Sequence, residues 1–249
     1  MDANNGWTDA VIGLGGGGGW LVQLRLKGPG NEMVLVDGDV VTESNLDRQM
    51  FDRRDVGKKK VDRMADKLRA KGIGVRAMPE YLRRGCNAWD ELLALNHPLR
   101  IFCCVDNHPA RGCCMELADE RWELGRETAL AIAGNEYSTA SGDMYLPTWR
   151  HSKLDFRVRY PEVLTDVAGD PLRPSCTGEI LESAPQLALF NSLGAHCALW
   201  LMRAWTQELP QFAGSDLYEQ IVDKTPVSVQ FAETGQKTLT KREIQNGRG

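Results

Sequence analysis

Val11-Ile-Gly-Leu-Gly-Gly-Gly-Gly-Gly19, followed by Val34-Leu-Val-Asp-Gly-Asp-Val-Val-Thr-Glu-Ser-Asn-Leu-Asp-Arg-Gln49, is the pair of segments that decides the fold. The first is an apolar run that breaks into glycines, the pattern of a strand turning tightly into a helix whose free N–H groups can hold phosphate. The second puts Asp37 at the end of the next strand, where a carboxylate meets ribose hydroxyls in dinucleotide folds. A Gly-x-Gly-x-x-Gly match alone is weak. A turn that follows an apolar strand, opens a helix and precedes such an acid points to nucleotide binding. These features by themselves leave a nicotinamide dehydrogenase open.

Working outward, strands and helices alternate, which predicts an α/β fold with a largely parallel, Rossmann-like sheet and helices on both faces. Val11 to Leu14 reads as the first strand, Gly15 to about Lys27 as the first helix, and Met33 to Val36 as the second strand. Asp55 is placed to cap a helix with Val61, Met64, Ala65 and Leu68 on one face, stopped by Gly72. Val75 to Met78, Leu99 to Val105 and Thr128 to Ala133 read as further strands, with helices over Trp89 to Leu95 and Pro109 to Leu124. From Tyr137 to Pro185, glycines and prolines interrupt every candidate element, and a long stretch of that kind is more often a functional loop than an accident. Helical character returns over Ala184 to Thr206, with Leu187, Phe190, Leu193, His196, Cys197, Trp200 and Leu201 near one face, and Val222 to Phe231 reads as a hairpin strand. The expected organisation is one domain: a nucleotide-binding half at 10–135, a crossover loop at 136–185, a C-terminal helix and strand at 186–235, and a polar tail at 236–249.

Composition narrows the function classes. The chain has 249 residues, 42% of them hydrophobic, enough for a sizeable core. A net charge of −4 argues against a basic nucleic-acid surface, and Lys58-Lys-Lys60 is the one compact lysine run. The apolar stretches fall short of a membrane span. Seven cysteines without a secretory signal, two pairs of them adjacent, suggest reduced thiols and a cytoplasmic location. No C-x-x-C occurs, so no zinc site is expected.

The residues after Asp37 discriminate among nucleotide chemistries. Asp37-x-Asp39, Ser44-Asn45-Leu46-x-Arg48-Gln49, Gly57-x-x-Lys60 and Val105-Asp106-Asn107-x-x-Ala110-Arg111, in that order, resemble the ThiF/MoeB and ubiquitin-activating enzyme superfamily over residues 10 to 205. The resemblance implies an enzyme that uses ATP and Mg²⁺ to adenylate the C-terminal carboxylate of a ubiquitin-like protein. It matches Gly13, Gly15, Gly16 and Gly18 to the nucleotide turn, Asp37 to the ribose carboxylate, Arg48 and Lys60 to catalytic phosphate-holding cations, and Asp106 to the magnesium ligand. Asp39, Asn45, Gln49 and Asn107 complete the implied pocket. Such chemistry brings two anions together and expels pyrophosphate, so cations are needed around the α-phosphorus. Arg48 forks onto oxygens, and Lys60 supplies a point charge. Taken singly, Asp106 also suits the N-cap of the helix before Pro109.

A second signature, Pro174-Ser-Cys176-Thr177, resembles the Pro-x-Cys-Thr motif around the catalytic cysteine of ubiquitin-activating enzymes, which implies a thioester on Cys176. The remaining cysteines read as small buried hydrophobes, apart from Cys86, whose position stays open. Small size and economy of domains suggest a bacterial-type member. About nine residues precede the first strand, so the helix that in many relatives carries an arginine into the partner's site is missing here. A homodimer with its interface near the nucleotide is expected, and a conjugating enzyme is the expected acceptor of the thioester. Recruitment by the usual route is in question, since no C-terminal ubiquitin-fold domain fits. Alternatives are an adenylyltransferase for a ThiS- or MoaD-like sulfur carrier, an NAD-binding dehydrogenase, and a non-catalytic half of a heterodimer.

Overall fold

The computed structural model describes residues 6–25, 32–135, 139–165, 188–206, 226–232 and 235–240. Strands β1 (Thr8–Ile12), β2 (Met33–Val36), β3 (Val75–Met78), β4 (Leu99–Cys103) and β5 (Thr128–Asn135) are mutually parallel, and β6 (Thr139–Tyr145), β7 (Pro226–Ala232) and β8 (Gly235–Thr240) extend the sheet antiparallel, in the order β3-β2-β1-β4-β5-β6-β7-β8. The order reverses between β1 and β4. In open α/β sheets the crevice beyond the carboxyl ends of the strands at such a reversal is where ligands bind.

Alternation along each strand builds two cores. Val11, Leu35, Phe102 and Ala131 face α1 (Gly16–Arg25), α2 (Lys60–Arg69) and α7 (Ala188–Trp205). Their neighbours Ile12, Val34, Ile101 and Leu130 face α3 (Asn87–Ala94) and α4 (His108–Glu123). Both faces are therefore covered, and the parallel strands are apolar on both sides. Asp9 and Arg100 stand opposite each other in the β1–β4 register and form a buried ion pair at 2.5 Å. A slip of one residue would separate them and turn each strand's apolar set over, so the pair and the pattern specify one register.

Several expectations are corrected. The interval read as an irregular crossover loop contains β6 and two short helices, α5 (Phe156–Arg159) and α6 (Glu162–Thr165). These are fixed by polar knots: Arg157 Nη1 donates to Asp119 at 2.9 Å, and Arg159 Nη1 donates to the buried Asp143 at 2.7 Å. Asp55 does not cap α2. It closes a 3-10 turn at Arg53–Asp55 and receives Arg63 at 2.8 Å and Lys67 at 2.9 Å, which holds its carboxyl well below the usual carboxylate range against the opposing effect of burial. Residues 235–240, expected within or beside a polar tail, pair as β8.

The face of α7 is corrected in part. Cys197 and Leu201 are buried as expected, but His196 and Trp200 are exposed, Leu187 lies outside the described residues, and Asn191, Gly194, Ala195 and Ala198 join the buried side. The helix comes close to β5, where a Cβ on Gly194 would stand 2.9 Å from the Gly134 carbonyl oxygen. A Cβ built on Gly142 in β6 would stand 2.6 Å from the Cβ of Cys197. Gly142→Ala is expected to lower stability by about 1–3 kcal/mol through overpacking, read as a lower urea midpoint, and an unchanged midpoint would contradict this contact.

Candidate nucleotide site

The turn after β1 is shaped by what it must pass. Gly13 has φ +86°, and a Cβ there would lie 2.9 Å from the Cys104 carbonyl oxygen. A Cβ on Gly18 would collide with the carbonyl of Gly13, and one on Gly16 with the Asn191 amide. Gly15 stands freer, with the Gln49 amide nitrogen 3.8 Å from its Cβ direction. Helix α1 thus starts directly under the turn and has no acidic residue in its first turn, leaving its N–H groups suited to an anion.

Asp37 ties this turn to the end of β2. Its Oδ2 accepts from Leu14 N–H at 2.6 Å and its Oδ1 from Asp39 N–H at 2.7 Å. It is 7% exposed. Burial pushes its carboxyl above the ordinary value, countered by the charge of Lys60 and by the two N–H donors. A carboxylate has about four lone-pair sites, so both oxygens keep room for a ribose hydroxyl.

Lys60, the first residue of α2 and 5% exposed, directs Nζ to Asp39 Oδ2 at 2.8 Å. Tyr81 donates its hydroxyl to Asp39 Oδ1. Burial raises the Asp39 carboxyl, but Lys60, Tyr81 and Lys59 outweigh it and hold it below its usual value. The Tyr81 phenol is driven upward, first by this hydrogen bond, then by burial and by the charges of Asp39, Asp37 and Asp106. Asp37 and Asp39 follow the carboxyl end of β2 and Asp106 that of β4, the two sides of the crevice.

Asp106 is exposed in the loop after β4. It is not the cap of α4, because Asn107 occupies that position and accepts from Ala110 N–H at 2.9 Å. Asn107, expected in the pocket, uses its side-chain oxygen in this way. Asn45 uses its own to accept from Thr42 N–H at 3.1 Å. Arg48 and Gln49 lie in the loop that crosses α1. The Arg48 guanidinium donates to the Ser44 carbonyl and to Asp47 at 3.1 Å. Gln49 Oε1 is buried without a hydrogen-bond partner among the described residues, beside Gly15. Cys176 lies outside the described residues. Among the described residues, no group of three or more His, Cys, Asp or Glu side chains is arranged to hold a metal, and no helix is long and apolar enough to cross a membrane.

Residues 8–122 match the ThiF family. That segment is a little under half of the chain. None of the curated proteins matches it. Among solved structures, PaaA is similar with a TM-score of 0.60 at 21% identity, covering 94% of this chain and 72% of PaaA. Escherichia coli MccB with AMPCPP and MccA gives a TM-score of 0.59 at 18% identity, covering 94% of this chain and 63% of MccB. MccB with ATP gives 0.57 at 18% identity, with the same coverage. At these identities the likeness is one of fold, and the chain spans less than two thirds of MccB.

Three residues of this site carried no signal in the motifs. Tyr81 follows β3 in an unremarkable run. Asn191, fully buried, accepts from Asn135 and donates to the Arg48 carbonyl at 3.4 Å, joining α7 and β5 to the phosphate loop. A polar residue within the helix, one turn before Gly194 and Ala195, was the available clue to Asn191; Asn135 and Tyr81 offered none.

Asp37→Ala would strand the N–H groups of Leu14 and Asp39. It is expected to lose about 1–3 kcal/mol of stability in urea unfolding and to weaken nucleotide binding at least tenfold in calorimetry. A variant unchanged in both would show that the knot carries neither role.

Proposed function

We propose that this chain binds ATP with Mg²⁺ in the crevice beyond β1 and β4, adenylates the C-terminal carboxylate of a ubiquitin-like protein, and passes the acyl group to Cys176 as a thioester. The observation that carries the adenylation is the convergence of a glycine turn, a carboxylate with spare lone pairs, a buried lysine and an exposed aspartate at the sheet's reversal. The residues fit the nucleotide: the start of α1 offers N–H donors to phosphate, Gln49 turns its amide nitrogen toward Gly15, and its buried amide oxygen, without a partner among the described residues, accepts from a hydroxyl or amino donor. A nicotinamide dehydrogenase would leave Lys60 and Asp106 without a task. MccB, described as a microcin C7 biosynthetic enzyme, has been solved with ATP and with N-formylated MccA, which supports a site holding ATP and a second substrate together.

In this reading the substrate carboxylate oxygen attacks the α-phosphorus, the bond to the β-phosphate oxygen breaks, and pyrophosphate leaves. Asp37 receives the ribose hydroxyls, and the start of α1 receives phosphate oxygens. Lys60 is held in place by Asp39 and shifts its hydrogen bond toward phosphate. Arg48 leaves Ser44 and Asp47 to do the same. Asp106 offers a hard oxygen to Mg²⁺, which when bound neutralises charge on the leaving pyrophosphate. The Cys176 thiolate then attacks the acyl carbon and AMP departs.

The half-reactions separate by mutation. Cys176→Ala should retain ATP–pyrophosphate exchange and lose the reductant-sensitive adduct, whereas Arg48→Ala should lose both. A folded Cys176→Ala variant that still forms the thioester would move the nucleophile elsewhere. Exchange without any thioester in wild type would favour the sulfur-carrier adenylyltransferase. We further propose a homodimer in the cytoplasm, with a conjugating enzyme as acceptor.

A further inference from the structure

Tyr81 is the large aromatic left open in the crevice. Its ring packs on Gly38, the residue directly after the ribose carboxylate: a Cβ there would stand 2.6 Å from Cδ2 and Cε2, so any other residue would displace the ring. Its hydroxyl is anchored on Asp39, whose second oxygen holds Lys60. Anchored at both the ring and the hydroxyl, the residue is still 41% exposed. The other exposed aromatics among the described residues, Trp122 and Trp200, sit on α4 and α7. Asp39, which holds the hydroxyl, also accepts Lys60 and comes two residues after Asp37, the acid at the end of β2.

We propose that Tyr81 is the wall against which the nucleobase of ATP rests, its orientation set by Gly38 beneath the ring and Asp39 at the hydroxyl. A rigid aromatic with one face on backbone and much of its surface exposed suits a flat heterocycle, and its orientation is set before the ligand arrives. A base attached to a ribose held by Asp37 emerges next to this ring. The selectivity this adds is for a purine nucleotide over a bare polyphosphate. The inference rests on the ATP reading above and deepens it.

Calorimetry with ATP and with inorganic tripolyphosphate, both with Mg²⁺, tests it on the full chain. Base–aromatic stacking is worth about 1–3 kcal/mol by alanine substitution, so Tyr81→Ala should weaken ATP binding about tenfold or more and leave tripolyphosphate unchanged. Tyr81→Phe keeps the ring and should stay within about threefold of wild type for ATP. Tyr81→Leu keeps bulk without a π face. It should behave as Tyr81→Ala, and it serves where the alanine variant melts early. Leucine and alanine variants that fold and bind ATP as wild type does would overturn the inference alone. Equal losses for ATP and tripolyphosphate would overturn it too, by showing that Tyr81 acts only through Asp39 and Lys60. A wild-type chain that binds no ATP would remove the underlying reading and the inference with it.

Discussion

The Asp37 carboxylate, accepting one backbone N–H from the glycine turn and one from Asp39, is the constraint on which the site depends. The first bond joins the end of β1 to the end of β2, and the second closes the turn that follows β2. A buried carboxylate is expensive to ionise, and burial indeed raises its pKa. The charge is tolerated because Lys60 lies near and because both oxygens are satisfied by donors that cannot move away. The same arrangement leaves lone pairs toward the crevice, so the bonds that build the turn also leave a place for a ligand.

Around that knot lies a chain of polar contacts from the phosphate end to the base end: Lys60 on Asp39, Asp39 on Tyr81, Tyr81 over Gly38. On the other side, Asn191 links α7 to α1 and to the Arg48 loop. The close seating of α7 on β5 and β6 makes this second link possible. Gly142 and Ala195 are therefore part of the site's construction, although neither faces the crevice. Arg48 has its main chain held and its guanidinium on exposed partners. Such partners are weakly held, which suits a side chain that exchanges them for a phosphate.

Much of the nucleotide half was legible because its signals are local. Met33–Val36 and Val75–Met78 are the strands that their apolar patterns predict, and the glycine turn opens α1 as expected. What stayed hidden depends on tertiary contact. Strand β6 was obscured by Gly142, which reads as a breaker but serves the packing of Cys197. The apolar face expected for α7 holds for Cys197 and Leu201 but not for Trp200, and close approach to the sheet adds Asn191, Gly194, Ala195 and Ala198 to the buried side. Asp55 looked like a helix cap because it precedes α2 in sequence; its partners Arg63 and Lys67 come a turn or two later. Tyr81 and Asn191 belong to no motif, and only the fold brings them to Asp39 and Gly16.

The central claim is that the crevice at the sheet's reversal is an ATP site. Calorimetric titration of the wild-type chain with ATP and Mg²⁺, set beside the same titration with NAD, measures it most directly. The account predicts ATP binding that weakens when Mg²⁺ is withdrawn, and no comparable heat from NAD. Tight NAD binding with no response to ATP would contradict it.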